Sequence, residues 1–113
     1  MHEYGIASSL LRMVLQRAAA AEATRVTRVE IRVGAAAGVE IALLETAWHT
    51  VRVDTPCADA PLVVHAVPER WVCALCRTPI AQESALRCPT CGIAAVLDGG
   101  NELDLERFEI ERS

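Results

Sequence analysis

With 113 residues, the chain is long enough for one compact domain or for a small domain joined to a metal-stapled module. A hydrophobic fraction of 52% excludes a disordered chain, but alanine supplies much of it and aromatics only 4%, so the core must come from Leu, Ile and Val. The net charge is −4, every basic residue is arginine, and these are scattered instead of clustered, which argues against nucleic acid as a partner. The chain shows no basic-then-apolar secretory leader, and its apolar runs are too short to span a bilayer, so a cytoplasmic chain without a membrane anchor is expected.

From Tyr4 to about Ala23, Ile6, Leu10, Met13, Val14 and the alanines from Ala18 recur at helical spacing, with Arg12, Gln16, Arg17 and Glu22 elsewhere on the wheel. Residues 25–33 form the first predicted strand. Within it, Val29, Ile31 and Val33 alternate with Arg28, Glu30 and Arg32, which places the valines and isoleucine on a core and the charges in water. Gly34 ends the strand, and a small-residue loop runs through Gly38. Ile41, Leu44, Trp48 and Val51 then define a second amphipathic helix, which Pro56 forbids from continuing. A short apolar strand follows at 62–67. The last strand, 102–111, carries Leu103 and Leu105, then Phe108 and Ile110, and the slip at Glu106-Arg107 predicts a bulge.

Between Pro68 and Gly99-Gly100 lie Cys73-x-x-Cys76 and Cys88-x-x-Cys91. Each two-residue gap lets a tight turn aim two sulfurs at one point, and two such turns supply four soft anionic ligands, a tetrahedral zinc set. With all four positions taken by protein, that zinc is structural and not catalytic. Pro89 and Gly92 suit the second turn, Gly92 by accepting a positive φ. Two disulfides would require an oxidising compartment, and a thiol redox enzyme normally carries one such motif beside a βαβ unit. The expectation is an α+β fold: two helices on a three-stranded sheet, residues 1–67 plus 99–113, with a zinc ribbon inserted at 68–98.

A second metal signal stands at Met1-His2-Glu3. An imidazole at position two closes a chelate with the α-amine of Met1 and the intervening amide, and Glu3 adds a backbone or carboxylate ligand. Nitrogen donors of this kind suit tetragonal or square-planar nickel(II) and copper(II), not calcium or magnesium. Imidazoles and α-amines ordinarily lose their protons near pH 6.5 and about 7.7–8.0, so affinity at such a site falls as pH is lowered.

Taken in order, these features cover the whole chain: Met1-His2-Glu3 before a helix, Gly34 after the first strand, Gly38-Val39-Glu40 opening the second helix, the cysteine pairs with Cys88-Pro89-Thr90-Cys91-Gly92, and a closing strand from Glu102-Leu103 to Ile110-Glu111. The sequence resembles the HypA/HybF family, the nickel-incorporation accessory proteins of NiFe-hydrogenase maturation. The resemblance implies a metallochaperone and not an enzyme. It implies Ni(II) as cargo held by His2, Met1 and Glu3, and Zn(II) held by Cys73, Cys76, Cys88 and Cys91. It also implies a HypB-type nickel GTPase and the NiFe-hydrogenase large-subunit precursor as partners, with urease a further recipient in some members. No histidine follows His65, so a Cys-to-His ligand exchange at the zinc is not expected.

A different class of function remains open on the residues alone: a zinc-ribbon module docking on nucleic acid or a transcription complex. From Pro68 to Asp98, Arg70, Arg77 and Arg87 balance Glu69, Glu83 and Asp98, and a four-thiolate zinc adds negative charge, which disfavours phosphate binding. Cys57 is read as a small apolar residue or free thiol, His65 as a satisfied histidine within a strand, and His49 as a residue of the second helix that is not expected to reach the nickel end. The acids at Glu102, Asp104, Glu106, Glu109 and Glu111 are expected to line the solvated side of an edge strand.

Overall fold

The computed structural model describes residues 2–112. Its elements are α1 (Glu3–Ala20), β1 (Arg25–Gly34), α2 (Ile41–Val51), β2 (Leu62–Val67), β3 (Arg70–Cys73), β4 (Pro79–Ile80), β5 (Ala95–Gly99) and β6 (Leu103–Glu111). The strands form two sheets in the orders β2-β1-β6 and β4-β3-β5.

β1 is the centre of the larger sheet. It pairs in parallel with β2 through the crossover helix α2 and antiparallel with β6. On the inner face Val26, Val29, Ile31 and Val33 stand opposite Ile110, Phe108, Leu105 and Leu103, a shared apolar row that is buried on β1, half-buried along most of β6 and exposed at Leu103. Keeping that row intact takes two register shifts. Glu106 is skipped on β6, as the sequence predicts, and Thr27 is skipped on β1. Ala7, Leu10, Val14 and Ala18 of α1 and Leu44, Ala47 and Trp48 of α2 cover this face. Trp48 is fully buried, and its indole N–H donates to the Ala60 carbonyl at 2.9 Å, so its large apolar area is removed from water without stranding a donor.

α1 stops at Ala20, three residues earlier than expected. Glu22 takes a φ of 58°, and the N–H groups of Glu22 and Ala23 donate back to Ala19 and Ala18 at 3.0 and 2.9 Å. This is a left-handed C-terminal cap built without glycine, which the sequence does not advertise. The outer sheet face also departs from expectation. Glu30 is not solvated: it is 7% exposed, held by His65 Nε2 at 2.8 Å and by Arg28 and Arg107, each at 2.9 Å. These bonds, that of His65 foremost, pull its carboxyl from the ordinary 4.5 down to about 2. His65 is thus a satisfied histidine, but on the outer face and half exposed.

The zinc ribbon forms a second, smaller sheet that no period in the sequence marks. Its strands are short, and its buried cluster is Cys73, Ile80 and Cys88, with Trp71, Cys91 and Ala95 packed against it. The two sheets meet where the backbones of Gly34 and Gly100 cross. A Cβ on Gly34 would lie 2.0 Å from the Gly100 oxygen, and one on Gly100 would lie 2.5 Å from Glu69 Cα.

Two outcomes follow. Gly34→Ala should lower stability by roughly 1–3 kcal/mol or more, as overpacking against backbone does, whereas Gly5→Ala in α1, which meets nothing closer than His2 Cβ at 3.9 Å, should raise it by about 0.5–1 kcal/mol; thermal melts of both variants check the opposite signs. For Glu30, a depressed folded pKa means that its contribution is complete above 4.5 and is lost as pH falls toward about 2. Glu30→Gln should therefore melt below the parent at pH 5 and above, with the gap closing between pH 4.5 and 2.

Candidate metal centres

The four cysteines come together. Their Sγ atoms all lie within 4.8 Å of one another, and Cys76 and Cys88 are 3.8 Å apart. A zinc–sulfur distance of about 2.3 Å defines a tetrahedron with edges near 3.8 Å, so the cage matches that ion.

Two turns of the same construction build the cage. In the first, the Cys76 N–H points at Cys73 Sγ (3.4 Å), the Arg77 N–H donates to the Cys73 carbonyl (3.0 Å), and the Cys73 N–H donates to Thr78 (2.9 Å). In the second, Cys91 N–H points at Cys88 Sγ (3.3 Å), Gly92 N–H donates to the Cys88 carbonyl (2.8 Å), and Cys88 N–H donates to Ile93 (2.9 Å). The residue after each pair has a positive φ, 74° at Gly92 and 64° at Arg77. The sequence signals only the first of these values, because an arginine in that conformation leaves no compositional mark.

These amides favour thiolates. Cys73 is lowered chiefly by the Cys76 N–H, and the Thr78 hydroxyl, 3.1 Å from Cys76 Sγ, brings that thiol down to about 6. Cys91 goes the other way, up to about 12, because the Cys76 sulfur sits beside it. Four sulfurs this close cannot all ionise without a cation between them, and a dication supplies that compensation. The cluster is a closed zinc site, with the exposed Leu75 at the tip of its first turn.

The amino-terminal residues are organised by α1 and α2. Met1 lies outside the described residues. His2 is exposed and occupies the position before α1, its carbonyl accepting from Ile6 N–H at 3.0 Å. Glu3 is only 9% exposed, and its Oε2 accepts from the Glu40 N–H, the residue before α2, at 2.9 Å. That bond is the main reason its carboxyl sits below the ordinary range. Glu3 therefore ties the starts of the two helices together, a role that no local pattern reveals.

The other tempting residues stay apart from both centres. Cys57 is fully buried, and burial pushes its thiol up to about 11, so it packs as a small apolar group. His49 lies in the last turn of α2, about 13 Å of helical rise from Glu40. His65 is committed to Glu30.

Stripping the metal under reducing conditions should cost the cysteine cage its folding energy, since zinc sites of this type contribute about 10 kcal/mol or more in apparent terms. Hydrogen exchange of the chelated chain is expected to show protection lost across β3, β4 and β5 and retained in α1 and β1. Equal loss in both sheets, or no loss, would show that zinc does not hold the smaller one.

The family model described as hydrogenase/urease nickel incorporation, metallochaperone, hypA matches residues 1–110. A hydrogenase maturation factor HypA from Shewanella oneidensis is 41% identical, covering 100% of this chain and 98% of its own length. One from Wolinella succinogenes is 31% identical, with coverages of 98% and 96%. Among solved structures, the solution structure of the nickel metallochaperone HypA from Helicobacter pylori superposes over the full length of both chains with a TM-score of 0.75 at 25% identity. Another HypA solution structure gives 0.78 at 26%, covering 100% of this chain and 98% of its own. With a four-cysteine zinc cage, two helices on a small sheet and a family match along nearly its whole length, this chain belongs to the HypA family of nickel-incorporation metallochaperones for hydrogenase maturation.

Proposed function

We propose that this metallochaperone carries its Ni(II) on His2 with Met1 and Glu3, and releases it by ligand exchange. The observation that carries the reading is the Glu3–Glu40 hydrogen bond: it anchors the first turn of α1 to α2 while leaving His2 exposed. A ligand set on an anchored but open rim can be attacked by a recipient's donors before it lets go, unlike the closed thiolate cage. Glu3 contributes a main-chain or carboxylate ligand, its Oε2 also accepting from the Glu40 N–H.

On this reading the chain works as two units, residues 1–67 plus 99–113 for nickel and 68–98 for zinc. It is not an enzyme, acts in the cytoplasm, and exchanges nickel with a HypB-type GTPase and the NiFe-hydrogenase large-subunit precursor. Among the described residues no helix is long and apolar enough to cross a membrane. The arginines of the zinc unit are engaged locally, Arg70 and Arg77 with Asp98 and Arg87 with the Gly92 carbonyl. That favours a scaffold over a phosphate-tracking surface.

Calorimetric nickel titration of the untagged, zinc-loaded chain tests the assignment. His2→Ala should weaken binding by more than the roughly 10–100-fold that losing an outer-shell partner costs, and so should a few residues added before Met1, with zinc content unchanged. Affinity should also fall between pH 8 and pH 6, as imidazole and amine take up protons. Undiminished binding in either variant, or a flat pH response, refutes the donor set.

A further inference from the structure

The four sulfurs of the cage are not equivalent. Cys73 Sγ accepts from two amides, the Leu75 and Cys76 N–H groups, each at 3.4 Å, and Cys88 Sγ accepts from the Cys91 N–H at 3.3 Å. Both of these cysteines are buried. Cys76 and Cys91, the second cysteine of each turn, form the accessible pair, Cys76 exposed and Cys91 half-buried.

The accessible sulfurs differ from each other. Thr78 Oγ1 lies 3.1 Å from Cys76 Sγ, and where zinc holds that sulfur as a thiolate the hydroxyl is the donor. Among the described residues no N–H or O–H group donates to Cys91 Sγ. The turns also differ in access. Cys76 is followed by Arg77, whose guanidinium is tied to Asp98 at 3.0 Å, whereas Cys91 is followed by Gly92, where an added Cβ would meet nothing within 4 Å. The flank of the second turn is open.

A thiolate attacks with a sulfur lone pair, and a hydrogen bond to that pair lowers its energy, so nucleophilicity falls together with basicity as donors are added. A zinc-bound thiolate keeps lone pairs that the metal does not use, and these set its residual reactivity. Burial puts Cys73 and Cys88 out of reach, and its hydrogen bond makes Cys76 quieter than its exposure suggests. Cys91 alone is both reachable and bare.

We propose that Cys91 is the reactive thiolate of the zinc-loaded cage, a modification site for soft alkylating electrophiles, and that Thr78 is a positioning residue whose bond to Cys76 diverts attack from the more exposed sulfur. In the step, the S–C bond forms as the bond between that carbon and its leaving group breaks, and the leaving group departs with the electron pair; no oxidant or reductant takes part. The product is a neutral thioether, so the dication loses one of its four anionic ligands and is released more readily. The inference is independent of the nickel assignment.

Iodoacetamide at limiting concentration, added to the full zinc-loaded chain, tests it. Peptide mapping by mass spectrometry reads each cysteine, and a chromophoric chelator reads the zinc released. Cys91 should be alkylated at least about three-fold faster than Cys76, zinc release should follow Cys91 labelling, and Cys57, Cys73 and Cys88 should stay unlabelled until the metal has left. Thr78→Val, which keeps the shape and removes the hydroxyl, should raise the Cys76 rate to that of Cys91 or above, and Thr78→Ser should restore the parent order. Cys76 reacting first in the parent overturns the proposal without recourse to any variant. A Cys76 rate indifferent to Thr78→Val in zinc-loaded protein also overturns it. So does labelling of all four ligands together at a rate independent of iodoacetamide concentration, because attack then comes only after the zinc has gone.

Discussion

The arrangement of this chain depends on a backbone crossing. At Gly34 and Gly100, β1 and β2 are ending while β6 begins, and the polypeptide passes out to the zinc sheet and back within a few residues. Gly34 N–H donates to Glu102, Ala35 N–H to Val67 and Ala36 N–H to Gly100, at 2.7, 2.8 and 2.6 Å. The Glu102 carboxylate then accepts from the Gly100 N–H at 3.1 Å. Two main chains this close leave no volume for a Cβ, so both glycines are steric requirements, and Gly100, with a φ of 93°, is a conformational one as well. The crossing sets how the metal-built sheet stands on the apolar one.

Each sheet solves the problem of small size differently. The larger one has enough Val, Ile and Leu to bury a continuous row under two helices, with Trp48 as a fully buried bulky filler and Phe108 packed against it from β6. The smaller has two buried cysteines, Ile80 and Val72 and little else, so a cation must replace the missing apolar area. The crossover through α2 has a further result for the first sheet. It brings the start of α2 beside the start of α1, where two positive helix ends would repel, and the ionised Glu3 carboxylate lies against both. One side chain thereby relieves an electrostatic conflict and links the two helix starts beside His2.

Much of this was legible because apolar spacing reports the face that a residue must bury. Leu103, Leu105, Phe108 and Ile110 can share a face only if one residue is squeezed out, and Glu106 is the one skipped. The same logic applied to Val26 and Val29, three apart and both buried, would have exposed the second bulge at Thr27. What stayed hidden is long-range or conformational. Glu30 reads as one charge in an alternating strand, and only the neighbours His65 and Arg107, brought by other strands, make it buried and paired. The strands of the zinc sheet run from two to five residues, too few to establish a period, and the metal holds them together. The cysteine spacing announced the cage, but neither the left-handed Arg77 nor the Thr78 hydroxyl that supports Cys76 has a sequence signature. Met13 looked like a core residue and instead stands exposed, since helical spacing fixes a direction and not the presence of a neighbour there.

Two transition metals in one small protein raise the question of what keeps each in its place. Affinity alone does not, because nickel and zinc lie close together in the order of divalent-metal stability. Donor type and geometry do. The cysteine cage presents four sulfurs at tetrahedral spacing, each pair of thiolates backed by amide donors, a set that suits zinc and gives nickel no route to a planar arrangement. The proposed nickel donors are nitrogens from adjacent positions of one backbone, which approach planarity easily and wrap a tetrahedral ion poorly. The cage also fills every tetrahedral position with a protein sulfur, whereas His2 is exposed. The same contrast that sorts the metals thus separates a resident ion, whose departure would unfold its surroundings, from a cargo ion, whose departure leaves α1 and its Glu3 anchor in place.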